Sequence, residues 1–203
     1  LDAAANAGFA EASQEVLVNL TAENLEAFLN AGWSIETQLE SGATALHYFA
    51  RDGAVKVLEK LVEHQADVEA RMPLTGFFDT SFNERRRHTL GVDLPDIISD
   101  DAWLDQFKED RFSAFDIAVA AGRPQAARFL LDAGCPCGAP TGLAQVVALQ
   151  GFTNLETRRN MPPHFAEVLP LLITDCGADS ATQHPDSGDT LLHLAIWGVK
   201  LGG

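Results

Sequence analysis

The chain has 203 residues, a formal net charge of −15 at pH 7 and a sequence pI of about 4.6. Its excess of carboxylates repels nucleic acid and anionic lipid, so neither is expected as a partner, whereas a basic protein surface would be attracted. The longest apolar runs fall far short of the roughly 18 residues that a membrane-spanning helix needs.

The cysteines are sparse and odd in number: Cys135, Cys137 and Cys176. Such a set implies no disulfide framework, and a reducing compartment is the simpler inference. A joint metal site for the three thiols is open in principle, but buried or loop thiols are the expectation. The predicted location is the cytoplasm, or a host cytosol if the protein is a secreted effector.

The sequence predicts about five successive units, and a complete unit has a pair of helices. The first covers residues 1–40 and is irregular. Residues 1–8 have the spacing of a short first helix, and residues 23–32 have that of a second helix. Gly32 is placed to end this second helix, because glycine readily takes the left-handed conformation found after helices.

The clearest unit covers residues 41–70. It opens with Ser-Gly-Ala-Thr-Ala-Leu-His-Tyr-Phe-Ala from Ser41, and Gly53 ends the helix that this block predicts. A second helix is indicated by an apolar stripe at helical spacing: Val57, Leu58, Leu61 and Val62. Gln65 stands where a helix-ending glycine is favoured, so the turn must either take a left-handed residue less comfortably than glycine would or close differently.

Residues 71–111 interrupt the pattern, because the next unit starts at about twice the expected spacing. Long loops on a scaffold are often functional. This predicted insertion holds aromatic residues and the one basic cluster of an acidic chain: Phe77, Phe78, Phe82, Arg85, Arg86 and Arg87. Aromatic and arginine side chains are enriched at binding hot spots, so these six are candidate partner contacts. The alternative is that the arginines pair with the many nearby carboxylates.

The third predicted unit covers residues 112–138. Ser113 keeps a hydroxyl where Thr44 stands in the earlier unit, and Asp116 replaces its histidine. Pro124 suits the first turn of a second helix, where its missing N–H costs nothing, and Gly134 is placed to end that helix.

The last two units are weaker or incomplete. Residues 139–180 form a degenerate unit in which Pro170 should kink or split the second helix. Residues 187–203 open a fifth unit that stops at Gly203 before any second helix, which predicts either that the protein continues or that this end is disordered.

The block Ser-Gly-Ala-Thr-Ala-Leu-His-Tyr-Phe-Ala recurs at residues 187–195 as Ser-Gly-Asp-Thr-Leu-Leu-His-Leu-Ala. The shared pattern Gly-x-Thr-x-Leu-His, with Ala two or three positions after the His, resembles the opening of an ankyrin repeat, a unit of roughly 33 residues made of a turn and two antiparallel helices. The predicted fold class is therefore all-α: one domain over residues 1–203, an irregular ankyrin-repeat solenoid of about five units with a long insertion at 71–111.

The resemblance also implies roles for residues of this block. The imidazole is expected to bridge backbone groups of adjacent turns, and its neighbours to fix the helix start and end. The expected structural residues are Thr44, His47, Gly53, Thr190 and His193. No catalytic, cofactor-binding or metal-binding residue is predicted, so no enzymatic activity is expected.

A solenoid of this kind implies a protein–protein interaction module that binds through hairpin tips and a concave inner-helix face. Residues expected to be exposed there, and so to contact a partner, are Trp33, Gln38, Glu40, Tyr48, Arg51 and Asp52. The expected partner is a protein with a basic patch, and a specific version is an inhibitor, immunity-type protein or effector adaptor. The alternative is the substrate-targeting segment of a larger enzyme. A monomer is expected, although an uncapped repeat end leaves end-to-end association open.

Overall fold

The computed structural model describes residues 16–39, 41–73, 111–137 and 165–177, together with residues 181 and 190. These residues are mainly helical. The elements, in chain order, are α1 (Leu25–Asn30), α2 (Ala45–Asp52), α3 (Val55–Glu63), β1 (Arg71–Pro73), β2 (Arg111–Ser113), α4 (Ala114–Ala120), α5 (Pro124–Asp132), α6 (Phe165–Pro170) and a π-helix (Leu171–Asp175).

The helices pack as two layers of equivalent elements. Helix α2 packs on α4, and these are the first helices of two units; helix α3 packs on α5, and these are the second helices. Helix α6 in turn contacts α5. The units around α2–α3 and α4–α5 are therefore direct neighbours, as expected of a helical repeat fold in which each unit contacts the next. The count of five units and their exact bounds stay predictions.

A short antiparallel ladder joins these two units. Arg71 pairs with Ser113, Met72 with Phe112, and Pro73 with Arg111. Met72 and Phe112 are buried, at 0% and 2% exposure, because neighbouring strand residues point to opposite faces and this pair faces the helices. Residues 71–73 and 111, which the sequence placed in the insertion, are thus strand residues, and the ladder brackets residues 74–110, outside the described residues.

The predicted helix starts and apolar stripe are observed. Pro124 occupies the first turn of α5. Val57, Leu58 and Leu61 are buried on one face of α3, which packs against the neighbouring layer. The core is continuous across the described units and includes Leu25, Leu46, Leu58, Phe115, Ile117, Leu130 and Leu172.

Pro170 divides the helix that contains it, as predicted. The α-helical turns of α6 end at this proline, and residues Leu171–Asp175 continue as a π-helix. Proline lacks a backbone N–H and crowds the preceding turn, so regular hydrogen bonding is interrupted there. Thr174 Oγ1 donates a hydrogen bond to the Pro170 carbonyl at 2.7 Å.

The helix-ending position is left-handed in four units. Gly32, Gly134 and Gly177 have φ of 94°, 88° and 66°, and Gln65 has φ of 65° at the equivalent position. Of the two outcomes left open by the sequence, Gln65 takes the left-handed one: it is the one residue other than glycine with positive φ among the described residues. A side chain in this region costs about 1–2 kcal/mol, because Cβ crowds the following carbonyl oxygen.

We therefore predict that Gln65→Gly raises the free energy of unfolding by about 0.5–1 kcal/mol. The relief of left-handed strain exceeds the extra conformational entropy that glycine gives the unfolded chain. The measurement is urea or thermal unfolding of the variant beside the parent protein.

The matched control is Gly134→Ala. An added Cβ at Gly134 would meet no atom within 4 Å, so only backbone strain is introduced, and the expected loss is about 1 kcal/mol. Equal stability of Gln65→Gly and the parent, beside a destabilised Gly134→Ala, would show that Gln65 is not strained.

Candidate functional site

His47 sits at the junction of the two stacked units and is fully buried. Its Nδ1 lies 2.9 Å from Thr44 Oγ1 and 3.3 Å from Thr44 N, and both groups can donate to it. Because a backbone N–H only donates, Nδ1 is the acceptor, and Nε2 carries the proton. Nε2 then donates to the Phe112 carbonyl at 3.3 Å. One side chain therefore links the start of α2 to strand β2 of the next unit.

This environment keeps the imidazole neutral. Burial lowers the pKa of His47 from 6.5 to about 4, against the opposing effect of hydrogen bonds to the Phe112 and Ala70 carbonyls. A neutral ring can accept at one nitrogen and donate at the other, whereas a charged ring would turn Nδ1 into a donor facing two donors. His47 is thus placed for a structural bridge and is too weak a base for proton transfer near neutral pH.

The next unit makes its link differently, because Asp116 replaces the histidine. Asp116 Oδ2 accepts a hydrogen bond from Ser113 N at 2.8 Å, as His47 Nδ1 does from Thr44 N. A carboxylate cannot donate onward to a neighbouring carbonyl. Ser113 Oγ takes that part and lies 3.0 Å from the Pro136 carbonyl. The hydrogen bond at the start of α4 is therefore retained, and Ser113 makes the link to the Pro136 carbonyl.

Tyr48 and Arg51 are buried, at 5% and 2% exposure, so the expectation that they are exposed on an inner-helix face is wrong. The Arg51 guanidinium lies over the Tyr48 ring, 4.4 Å from its centroid, and Arg51 Nε donates to Asp52 Oδ1 at 2.9 Å. The Arg51 carbonyl accepts from Arg123 Nε at 3.1 Å. These contacts hold α2 within the stack.

Tyr48 and Arg51 are buried because other parts of the protein surround α2 on all sides. Every residue from Ala45 to Arg51 is buried, and this run covers almost two turns, so it samples all directions around the helix axis. The sequence interpretation assumed one open side for the inner helices. The burial shows that α2 offers no such side.

The other predicted contact residues divide by exposure. Gln38 and Asp52 are exposed and Trp33 is partly buried. Glu40 and the six insertion residues Phe77, Phe78, Phe82, Arg85, Arg86 and Arg87 lie outside the described residues, as does His193. Thr190 is partly buried, and Gly53 has a left-handed φ of 74° after α2.

Exposed polar residues gather where the turns and strands of the units meet. We call this surface the hairpin edge; it comprises Glu36, Gln38, Asp67, Glu69, Arg71 and Arg111. Glu36 Oε1 accepts a hydrogen bond from Asp67 N at 2.8 Å and so ties the turn of one unit to that of the next. Except for Gln38, the sequence analysis did not single these residues out, because an exposed charge carries no periodic signal.

The hairpin edge has both signs of charge. Three carboxylates precede the ladder, at Glu36, Asp67 and Glu69, and two arginines, Arg71 and Arg111, stand at its two strands. Charged groups on such an edge can complement a partner of mixed charge and orient it during encounter.

The cysteine expectation is overturned. Cys137 and Cys176 form a disulfide with a Cα–Cα distance of 5.7 Å, which lies within the usual range for such bonds. Cys135 is a free, buried thiol. The two bonded residues follow α5 and the π-helix, whose packing brings together positions 39 residues apart. With both sulfurs bonded to each other, the three-thiol metal site left open by the sequence is not formed.

The model of one known family matches this chain: the ankyrin repeat, over residues 41–72. The chain therefore contains an ankyrin repeat there, and the resemblance seen in the sequence is confirmed. Ankyrin repeats are generally protein–protein interaction modules and are typically not catalytic. No curated protein matches the chain.

The part of the chain that the structure describes lacks two features. It holds no helix that is both long and apolar enough to cross a membrane. It also holds no group of three or more His, Cys, Asp or Glu side chains arranged for a metal ion.

The His47 bridge predicts a pH dependence of stability. Because its pKa is lower in the folded protein than the ordinary 6.5, the unfolded chain binds the proton more tightly. The contribution of neutral His47 to the free energy of unfolding is therefore complete above pH 6.5 and is lost as the pH falls towards about 4. The total loss is roughly 3 kcal/mol. Urea unfolding across this range measures it.

Carboxylates also titrate in acid, so the test compares the parent with His47→Gln, which shares every other group. We expect the free energy of unfolding to depend less on pH in the variant than in the parent. If the variant does not fold, the imidazole of the parent can be titrated by NMR. A His47 pKa near 6.5 would contradict the buried neutral bridge.

Proposed function

We propose that the chain is a protein-binding scaffold whose partner contacts the hairpin edge together with residues 74–110. The claim of protein binding is supported by the ankyrin repeat at residues 41–72, since such repeats generally bind proteins. The proposed location of the contact surface rests on the geometry of the ladder between β1 and β2.

The ladder is the observation that carries this proposal. Pro73 and Arg111 are paired, so both ends of residues 74–110 leave the fold at one point beside the hairpin edge. The flanking units stack directly through α2 and α4. The connection between the paired strands is long, and long connections on a scaffold commonly carry function.

The side chains of the segment suit a recognition role. Phe77, Phe78 and Phe82 provide apolar area, and Arg85, Arg86 and Arg87 provide planar donors. Aromatic and arginine residues dominate binding hot spots, because they desolvate large surfaces at a modest entropic cost. These six residues remain the proposed contacts, with Gln38 and the charged residues of the hairpin edge around them; Trp33, Glu40 and Asp52 are secondary candidates.

The overall charge indicates the partner. A net charge of −15 disfavours nucleic acid and would attract a protein with a basic patch. Because the hairpin edge also includes Arg71 and Arg111, a patch of mixed charge fits best. An inhibitor, immunity-type or effector-adaptor protein that covers a basic enzyme surface is a specific form of this proposal, in which the chain acts as a monomer.

The cellular location is affected by the disulfide. The cytoplasm was inferred from sparse cysteines, and the Cys137–Cys176 bond removes that ground. Disulfides persist mainly in oxidising compartments, and those found in the cytosol are usually transient or redox-sensing. We propose that the chain works where such a bond can form.

The proposal predicts that replacing residues 74–110 by Asn-Gly abolishes partner capture. Because Pro73 and Arg111 are paired, a two-residue turn can close the ladder without moving the units. The intact chain and this variant serve as baits in lysate of the source organism, and captured proteins are identified by mass spectrometry. Binding of the purified partner should then weaken by about 30-fold or more, the range of a hot-spot loss.

Two matched variants locate the contact within the segment. One carries Phe77→Ala and Phe78→Ala; the other carries Arg85→Ala, Arg86→Ala and Arg87→Ala. Loss with either supports the proposed contacts, and a decline of affinity with salt marks the charged ones. Equal capture by the intact and shortened baits, with the stack folded in both, would move recognition to the repeats and overturn this proposal.

A further inference from the structure

The disulfide lies at the boundary between two helical segments. Cys137 follows α5, and Cys176 follows the π-helix at the end of residues 165–177. Both cysteines are partly buried: they pack against the core without being enclosed by it, so part of each residue faces solvent. Exposed disulfides are the ones that open readily, in contrast to bonds sealed in a core.

Noncovalent contacts of the described side chains also attach residues 165–177 to the stack. Val168, Leu171 and Leu172 are its buried residues among the side chains described. An ion pair joins Arg128 Nη2 to Asp175 Oδ2 at 3.3 Å, with the side chains 50% and 36% exposed, and such a surface pair adds little. The helix is also divided at Pro170. The covalent bond adds to these buried side chains and fixes the end of the segment to the residues that follow α5.

The third cysteine does not compete for the bond. Cys135 is 3% exposed, and burial raises the pKa of its thiol, against the opposing effect of hydrogen bonds from Phe115 and Ser113. Because the thiolate is the species that attacks a disulfide, a buried thiol with a raised pKa exchanges slowly. The pairing between Cys137 and Cys176 is thereby kept distinct although Cys135 is only two positions from Cys137.

We propose that the Cys137–Cys176 disulfide is a redox-controlled latch that fastens residues 165–177 to the unit of residues 111–137. A dithiol reductant opens it: the S–S bond breaks, two electrons and two protons pass to the sulfurs, and the dithiol becomes a disulfide. Cys137 and Cys176 are left as thiols, and reoxidation by a disulfide of the same class closes the latch.

The consequence of opening is local. In a solenoid each unit contacts only its neighbours, so a bond between two neighbours stabilises that interface and leaves distant units unchanged. Opening releases the segment from α5, while the α2–α4 interface and the His47 bridge remain.

The first test is thiol accessibility in the full chain, by maleimide labelling and mass spectrometry. The oxidised protein should label at no cysteine when folded and at Cys135 alone when denatured. After dithiothreitol treatment of the folded protein, Cys137 and Cys176 should label and Cys135 should not. A bond that opens only in denaturant, or three free thiols before reduction, would overturn the latch.

The second test is hydrogen exchange of the two forms. Reduction should lower the protection of residues 165–177 by about 100-fold and leave residues 45–63 unchanged. The double variant Cys137→Ser/Cys176→Ser should match the reduced form with or without reductant, and the control Cys135→Ala should still respond to it. Unchanged protection of residues 165–177, or an equal loss along the whole chain, would contradict a local latch.

Discussion

The stack depends on one buried imidazole that satisfies polar groups of two units at once. His47 accepts from Thr44 and donates to the Phe112 carbonyl, across 65 positions of sequence. A buried polar group without a partner costs about 1–3 kcal/mol, so each of these groups needs the others in place. The bridge therefore fixes where β2 lies, and the register of the ladder follows, with Met72 and Phe112 turned towards the helices.

Around this bridge the same interface is reinforced by different chemistry. Arg51 stacks on Tyr48, and its carbonyl accepts from Arg123 of the next unit. The side chain of Arg123 also lies where a Cβ on Gly53 would be, with its Cδ 2.9 Å from that position, so the glycine leaves room for it. Arg51 is buried, and it is held by packing on Tyr48 and by its hydrogen bond to Asp52. This explains why residues that look suited to recognition serve the interior instead.

Local patterns in the sequence predicted what depends on neighbouring residues. Four features follow from spacing or from the backbone preference at one position: the apolar stripe of α3, Pro124 at the start of α5, the break at Pro170 and the left-handed Gln65. Features that depend on stacking were missed. The burial of Arg51 and the joining of Cys137 to Cys176 arise only when units far apart in sequence lie side by side, and no periodicity encodes that.

The burial of α2 has a consequence for where a partner can bind. Because α2 is enclosed by the stack, the accessible polar surface of this unit lies on its turns and strands and on the outer side of α3, where Lys56, Glu59 and Glu63 are exposed. At the hairpin edge, Glu36 and Asp67 already join adjacent turns, so the edge is ordered before any partner arrives, and less entropy is lost on binding. The ladder holds both ends of residues 74–110 at this same edge. The proposed contact residues differ from Thr44 and Phe112, which His47 bridges, so recognition and stacking rest on separate groups.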